Sequence, residues 1–125
     1  MNKKHILVVD DSPVLLKKLS SILAGPQGGY EVTTAEGGDV ALLLCENNSY
    51  DLVVTDVNMP NFDGFELVRR LRKQEEYSKT PIIIATTRSA EEDRLLAQEL
   101  GVEVWMVKPV QEGALLKTID HLLKD

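Results

Sequence analysis

Short runs of apolar residues, rich in Val and Ile, alternate along the chain with longer stretches in which apolar residues repeat every three or four positions. The runs are Ile6–Val9, Leu52–Thr55, Pro81–Ala85 and Val104–Val107, and a more polar segment of similar length covers Tyr30–Ala35. Continuous apolar runs of four to six residues are typical of parallel strands that are buried on both faces. We therefore predict five strands, with the polar one near an edge of the sheet.

Each predicted strand is followed by an amphipathic helical pattern. Ser12 can cap the first helix, which Pro13 suits at its first turn, and Gly25 ends it. The fourth helix is predicted to begin at Ser89 or Ala90 and to end at Leu100. Strand and helix alternate five times, which predicts an α/β fold with a parallel sheet and crossover helices; the third strand is predicted over Asp51–Asp56 and the fifth over Val102–Val107.

Length and charge narrow the class of protein. With 125 residues, the chain is predicted to form one domain, residues 1–125, whose core needs no disulfide. Its net charge of −6 disfavours direct binding to nucleic acid, which requires a basic face. No apolar run approaches the roughly 20 residues of a membrane span, and the N-terminus has no signal-peptide core. We therefore expect a cytoplasmic protein that does not enter a membrane.

Polar residues with chemical potential stand where the apolar runs end. Asp10 and Asp11 follow the first strand, Asp56 the third, Thr86 the fourth and Lys108 the fifth. The carboxyl ends of parallel strands form the ligand crevice of such sheets. These residues, although scattered over about a hundred positions, are therefore predicted to converge on one pocket.

Three carboxylates in one pocket require a cation. At about 5 Å and an effective dielectric near 20, each pair repels by roughly 3 kcal/mol. Oxygen ligands without His or Cys suit Mg²⁺, which is often completed by water and phosphate. Lys108 adds a mobile positive charge and Thr86 a hydroxyl donor, and both suit a phosphoryl group. Asp56, which ends the central strand, is then the natural nucleophile for forming an aspartyl phosphate.

The order and spacing of these residues resemble a known family. Asp10-Asp11, Asp56 within the segment Val54–Gly64, Thr86 and Lys108-Pro109 each follow a successive strand of the pattern. Over its whole length the chain is similar to the receiver domains of response regulators in two-component signalling, such as single-domain chemotaxis regulators. The resemblance implies a doubly wound (βα)5, flavodoxin-like three-layer sandwich with strand order 2-1-3-4-5, and a cis bond before Pro109.

Roles for the site residues follow from the same resemblance. It implies that Asp56 accepts a phosphoryl group from a histidine kinase or a histidine phosphotransfer protein. Asp11 and Asp56 would bind Mg²⁺ directly, Asp10 largely through water, and Asn58 through its backbone carbonyl. Lys108 would pair with the phosphoryl oxygens, and Thr86 would move to hydrogen-bond them.

The resemblance also implies an output surface, formed by the fourth helix, fifth strand and fifth helix, that a downstream protein recognises. Trp105 stands where the family usually has Tyr or Phe, the ring that moves inward when Thr86 engages the phosphate. Because Trp is larger, we expect its ring to move less freely. Thr87 replaces a usual Ala or Gly and is expected to narrow the approach to Asp56. Asn58 and Arg88 occupy two variable positions that tune the lifetime of the phosphorylated form.

Three other functions remain open at this stage. A haloacid-dehalogenase-type phosphatase also uses an Asp nucleophile and Mg²⁺. One residue lies between its two aspartates at the first strand, whereas Asp10 and Asp11 are adjacent and Asp56 lies elsewhere. A flavodoxin-like electron carrier needs a phosphate-binding loop of hydroxyl residues and glycines after the first strand, where Asp10-Asp11-Ser12-Pro13 would repel the phosphate. An interaction module that is never phosphorylated would not need all five site residues. The receiver-domain interpretation predicts a phosphoacceptor that promotes only its own phosphorylation and dephosphorylation, and is otherwise not an enzyme.

The remaining charged and titratable residues are interpreted more simply. The stretches Arg69–Lys73 and Glu91–Arg94 are predicted to be solvated helix faces, and His5 and His121 surface residues. Cys45 lies in an apolar stretch and is predicted to be a small buried residue. Gly64 is expected to meet a backbone requirement at the start of the third helix.

Overall fold

Five parallel strands form one sheet in the computed structural model, which describes residues 3–124. The strands are β1 (His5–Val9), β2 (Glu31–Ala35), β3 (Leu52–Thr55), β4 (Ile82–Thr86) and β5 (Val104–Val107). They are arranged in the order β2-β1-β3-β4-β5, so β2 lies at an edge, as its polar sequence predicts. The predicted α/β fold and strand order are confirmed.

Five helices connect and follow the strands: α1 (Pro13–Ala24), α2 (Gly38–Asn47), α3 (Gly64–Arg72), α4 (Glu91–Glu99) and α5 (Glu112–Leu122). Ser12 caps α1 as predicted, because its side chain accepts a hydrogen bond from the Leu15 amide at 3.3 Å. A short 3-10 helix over Glu75–Tyr77 was not predicted. None of the helices in the described part of the chain is long and apolar enough to cross a membrane.

Alternate residues of the central strands face two separate cores. Ile6 and Val8 of β1 pack with α1 and α5 on one face of the sheet. Leu7 and Val9 pack with α2 and α3 on the other face. This division makes the fold a three-layer sandwich, and it leaves the strand ends as the place where polar side chains can gather.

Several predicted elements are shorter in the structure: β2 lacks the predicted first residue, β3 lacks the predicted first and last residues, and β5 and α4 begin later than predicted. β5 begins at Val104 because the Val102 amide donates to the Ala97 carbonyl, at the end of α4, and not to the neighbouring strand. α4 begins at Glu91 because Ala90 keeps an extended backbone, with φ −66° and ψ 137°, as its N-cap residue. These differences leave the candidate site residues at strand ends, since Asp56 directly follows β3, Thr86 ends β4 and Lys108 directly follows β5.

The prediction of a solvated face at Arg69–Lys73 is wrong for Arg72, whose side chain is only 15% exposed. Its guanidinium donates to four backbone carbonyls and to the Glu103 carboxylate, at 2.7 to 3.4 Å. The four carbonyls are those of Tyr77, Thr80, Leu100 and Gly101. Glu103 in turn accepts from the Ile82 amide at 2.7 Å. Arg72 therefore joins α3, the end of α4 and the starts of β4 and β5.

The predicted exposure is correct for His121 and Cys45 and wrong for His5. His5 is half-buried, against the prediction of a surface residue, because its Nε2 lies 2.7 Å from Thr33 Oγ1 and its ring meets Tyr50 edge-on. His121 is exposed as predicted. Cys45 is 1% exposed, and burial raises its pKa to about 11, so it is the small buried residue that the sequence predicts.

Candidate functional site

Two buried carboxylates and one exposed carboxylate meet at the carboxyl ends of β1 and β3. These strands are neighbours in the sheet, so Asp10 and Asp56, one residue past their ends, lie side by side. Asp10 is 3% exposed and Asp56 is 6% exposed, whereas Asp11 faces solvent. An oxygen from each of the three lies within 4.8 Å of the other two. The predicted convergence of these residues is present in the structure.

Lys108 supplies the positive charge of this pocket. Its Nζ donates to Asp10 Oδ2 at 2.7 Å and to Asp56 Oδ2 at 2.8 Å. Burial lowers the pKa of Lys108, but the hydrogen bonds and charges of Asp10 and Asp56 outweigh that effect and raise the pKa above its usual value. Lys108 therefore stays a cation at neutral pH and holds together two carboxylates that would otherwise repel each other.

Backbone amides fix the other oxygens of the two buried carboxylates. Asp10 Oδ1 accepts from the Ser12 amide at 2.9 Å. Asp56 Oδ1 accepts from the Val57 amide at 2.6 Å and, more weakly, from the Asn58 amide at 3.3 Å. Both carboxylates are thus oriented before any ligand arrives, which is the pre-organisation that a reactive site needs.

Gly64 allows the loop after β3 to fold back on this site. A Cβ atom at this position would lie 2.1 Å from the backbone oxygen of Asp56. The Gly64 amide also donates to the Val57 carbonyl at 3.0 Å. The predicted backbone requirement is therefore real, and its cause is the close approach of α3 to the Asp56 backbone.

Thr86 ends β4 beside the pocket and is fully buried. Its hydroxyl accepts a hydrogen bond from the Arg88 amide at 3.3 Å. The next residue, Thr87, is exposed and lines an apolar recess of about 310 Å³ together with Lys108 and the side of α1. The site is thus bordered by one buried and one exposed threonine.

The residues at the two predicted lifetime positions are bonded to each other. Arg88 Nε donates to Asn58 Oδ1 at 2.8 Å, across the loops that follow β4 and β3. Arg88 Nη1 also lies 3.4 Å from both carboxylate oxygens of Asp93 in α4. Sequence reasoning missed Asp93, which it assigned to a solvated face, because Asp93 lies five positions after Arg88, across a loop whose shape the sequence does not give.

Trp105 lies on β5, away from the carboxylates. Its ring stacks on Phe65, with centroids 6.4 Å apart and an angle of 22° between the planes. The indole Nε1 is buried and has no hydrogen-bond partner within the described residues. Trp105 also borders a groove of about 370 Å³ along α4. Whether the ring moves with Thr86 stays a prediction.

The donor set of the pocket fits Mg²⁺. Asp10, Asp11 and Asp56 offer only hard carboxylate oxygens, and the cluster contains no His or Cys. Two of the carboxylates are fixed by backbone amides, and the third is open to solvent, as a partly hydrated ion requires.

Comparison with known proteins gives a consistent family. Residues 6–120 match the family model described as the response regulator receiver domain. PilH of Pseudomonas aeruginosa is 39% identical over 119 residues, which are 95% of this chain and 97% of that protein. The chain also matches longer curated relatives, of which it spans between 15% and 53%.

Solved structures agree with this result. The chemotaxis protein CheY4 of Vibrio cholerae superposes with a TM-score of 0.91 at 37% identity, over 98% of this chain and 100% of that one. The receiver domain of the sensor histidine kinase PA1611 from Pseudomonas aeruginosa superposes with a TM-score of 0.88 at 27% identity, over 99% and 100% of the chains. That structure has a magnesium ion coordinated in its active-site cleft. These matches favour the receiver-domain interpretation over the phosphatase and electron-carrier alternatives.

Proposed function

This chain belongs to the response regulator receiver domain family of two-component signalling, and we propose that Asp56 is its phosphoacceptor. Family membership implies a histidine kinase as partner and one or more downstream targets. We propose that the phosphoryl donor is a histidine kinase or a histidine phosphotransfer protein. The observation that carries the assignment is the position of Asp56, a buried, oriented carboxylate in contact with Lys108.

In the proposed reaction a carboxylate oxygen of Asp56 attacks the phosphorus of a phosphohistidine. A P–O bond forms, the P–N bond breaks, and its electron pair returns to the imidazole nitrogen of the donor. Lys108 now donates to Asp56 Oδ2 and is close enough to transfer that bond to a phosphoryl oxygen. The amides of Val57 and Asn58 keep the carboxylate oriented while the new bond forms.

We propose that Asp11 and Asp56 would hold Mg²⁺ directly, Asp10 through water, and Asn58 through its backbone carbonyl. Both buried carboxylates already accept hydrogen bonds at each oxygen, so the indirect role of Asp10 rests on the family resemblance and not on its contacts. Asp11 suits a direct role because its carboxylate is exposed beside the other two. When bound, the ion would neutralise charge on the transferring phosphoryl group.

The proposed output is a change in the surface formed by α4, β5 and α5, which a downstream protein recognises. Thr86 and Trp105 are the proposed switch residues, and Thr87, Asn58 and Arg88 the residues that set the lifetime of the aspartyl phosphate. We propose no direct nucleic-acid or membrane partner and no activity on a separate substrate. A histidine-kinase donor implies a cytoplasmic location, with residues 1–125 acting as one receiver unit.

Incubation with acetyl phosphate and Mg²⁺, followed by intact-mass measurement, tests the proposal. The wild-type chain should gain the mass of one phosphoryl group, and Asp56→Asn should gain none because it lacks the nucleophile. Asp39→Asn, an exposed aspartate in the first turn of α2, is the matched control and should still be modified. Persistent modification of Asp56→Asn, or none in the wild type with any phosphodonor, would contradict the assignment.

A further inference from the structure

Arg88 links the phosphorylation site to the first turn of α4. Its Nε is bonded to Asn58 and its Nη1 to Asp93, and we call these three side chains the Arg88 clasp. The backbone amide of Asn58 donates to Asp56 Oδ1, so one residue of the clasp is bonded directly to the proposed phosphoacceptor. The backbone of Arg88 is held too, since its amide donates to Thr86 Oγ1. The guanidinium is therefore kept beside the loop that follows Asp56.

The two ends of the clasp differ in strength. The bond to Asn58 is short, at 2.8 Å, whereas both contacts to Asp93 are 3.4 Å long. The side chains of Arg88 and Asp93 are 40% and 21% exposed, so solvent weakens their attraction. A stronger anion near Asn58 would therefore draw the guanidinium away from Asp93 more easily than from Asn58.

The first turn of α4 has no side-chain cap, as is also true of α2 and α5, and the Arg88 contact is its tie to the neighbouring loop. Its N-cap residue is Ala90, which makes no side-chain capping bond, whereas Ser12 and Asp63 cap α1 and α3. The turn begins at Glu91 and includes Asp93, which Arg88 ties to the loop after β3. Without that tie, the uncapped turn would fray more readily.

We propose that phosphorylation makes Arg88 exchange Asp93 for the phosphoryl group, which releases the first turn of α4. A phosphoryl group carries about −1.5 to −2 charges and offers several acceptor oxygens, and a guanidinium can bind it through two parallel bonds. The exchange would be a second route from Asp56 to the α4 surface, one that does not pass through the Trp105 ring. This inference rests on the proposed function, because it needs a phosphoryl group on Asp56.

The first test compares unphosphorylated variants by amide hydrogen exchange in the first turn of α4, measured by NMR. Arg88→Gln removes the clasp cation, and exchange of the Asp93, Arg94 and Leu95 amides should become up to about fivefold faster, the factor expected for a partly exposed ion pair. Asp93→Asn should have the same effect through the other partner. Arg94→Gln, which removes a neighbouring charge outside the clasp, should leave these rates unchanged. Equal rates in all four proteins would overturn the clasp.

The second test adds acetyl phosphate, or a beryllofluoride mimic, with Mg²⁺. In the wild type, exchange in the first turn of α4 should rise by a factor similar to that of the unphosphorylated clasp variants. In Arg88→Gln and Asp93→Asn it should show no further rise, because the tie is already absent. A rise in those two variants, or no rise in the wild type, would contradict the exchange of partners.

Intact-mass measurement of the same samples separates the two claims. A chain that gains one phosphoryl group with no change in α4 exchange would overturn the Arg88 inference and leave the proposed function intact. A chain that gains none with any donor would overturn the proposed function, and the exchange of partners with it.

Discussion

Replacement of Lys108 by Met should destabilise the protein in the absence of divalent metal and increase its response to Mg²⁺. Lys108 is the cation shared by Asp10 and Asp56, and its side chain is 16% exposed. Met has a similar length and keeps the apolar contacts of the lysine chain, so the substitution removes mainly the charge. Two buried carboxylates would then face each other with no positive group between them.

The size of the effect follows from the geometry. With carboxylate oxygens within 4.8 Å, an effective dielectric of about 20 gives a repulsion of about 3.5 kcal/mol. For a chain of this size that loss corresponds to a fall in melting temperature on the order of 10 °C. Bound Mg²⁺ would replace the missing charge, and we expect it to bind at least about tenfold more tightly to Lys108→Met than to the wild type.

Thermal unfolding with and without Mg²⁺ measures both consequences. The melting temperature of Lys108→Met should be low in EDTA and should recover as Mg²⁺ is added, because a ligand that binds only the folded state stabilises it. Lys117→Met, which removes an exposed lysine from α5, is the matched control and should change stability by less than about 0.5 kcal/mol. Asp11→Asn should lose the Mg²⁺ response with little effect on stability in EDTA.

The reasoning would be refuted if Lys108→Met were as stable as the wild type in EDTA. It would also be refuted if Mg²⁺ stabilised the two proteins equally. Either result would mean that the carboxylates do not depend on Lys108 for charge compensation.

Two further substitutions have defined outcomes. Arg72→Lys should reduce the free energy of unfolding, measured by urea titration, by about 3 kcal/mol. A point charge cannot replace the several bonds of the guanidinium, and about three would be lost at ~1 kcal/mol each. Arg69→Lys, at a surface ion pair 3.6 Å long, is the control and should be nearly neutral in the same titration. Thr87→Ala should speed hydrolysis of the aspartyl phosphate at Asp56 several-fold by opening the approach of water. A lifetime equal to or longer than that of the wild type, followed by mass spectrometry, would show that Thr87 does not obstruct this path.

The positions of the strand-end residues could be predicted from the sequence because they depend on a simple geometric rule. Each apolar run has the length of a buried strand, and parallel strands bring their carboxyl ends to one edge of the sheet. Asp10 and Asp56 therefore had to be neighbours once β1 and β3 were adjacent. The exact bonds of Lys108 to these two residues needed the coordinates, since a lysine side chain has many rotamers.

Contacts that depend on loop shape could not be predicted in this way. Arg72 reaches carbonyls up to 29 positions away, and nothing in its local pattern separates it from the exposed Arg69 and Arg70. His5 begins a strand, yet the neighbouring edge strand brings Thr33 to its ring. In each case tertiary packing, and not periodicity, decides whether a polar side chain is solvated.

The network around Arg72 holds the C-terminal end of α4, so the helix can tilt about that end. Arg72 holds the carbonyls of Leu100 and Gly101 at the C-terminal end of α4, while the opposite end has no capping side chain. Nine helical residues extend about 13 Å, so a tilt of roughly 10° about the held end displaces the free end by about 2 Å. Such a tilt therefore moves the N-terminal end of α4 more than its C-terminal end, which Arg72 holds near the starts of β4 and β5. The binding of a partner protein to the N-terminal end of α4 would therefore depend most strongly on the state of the pocket.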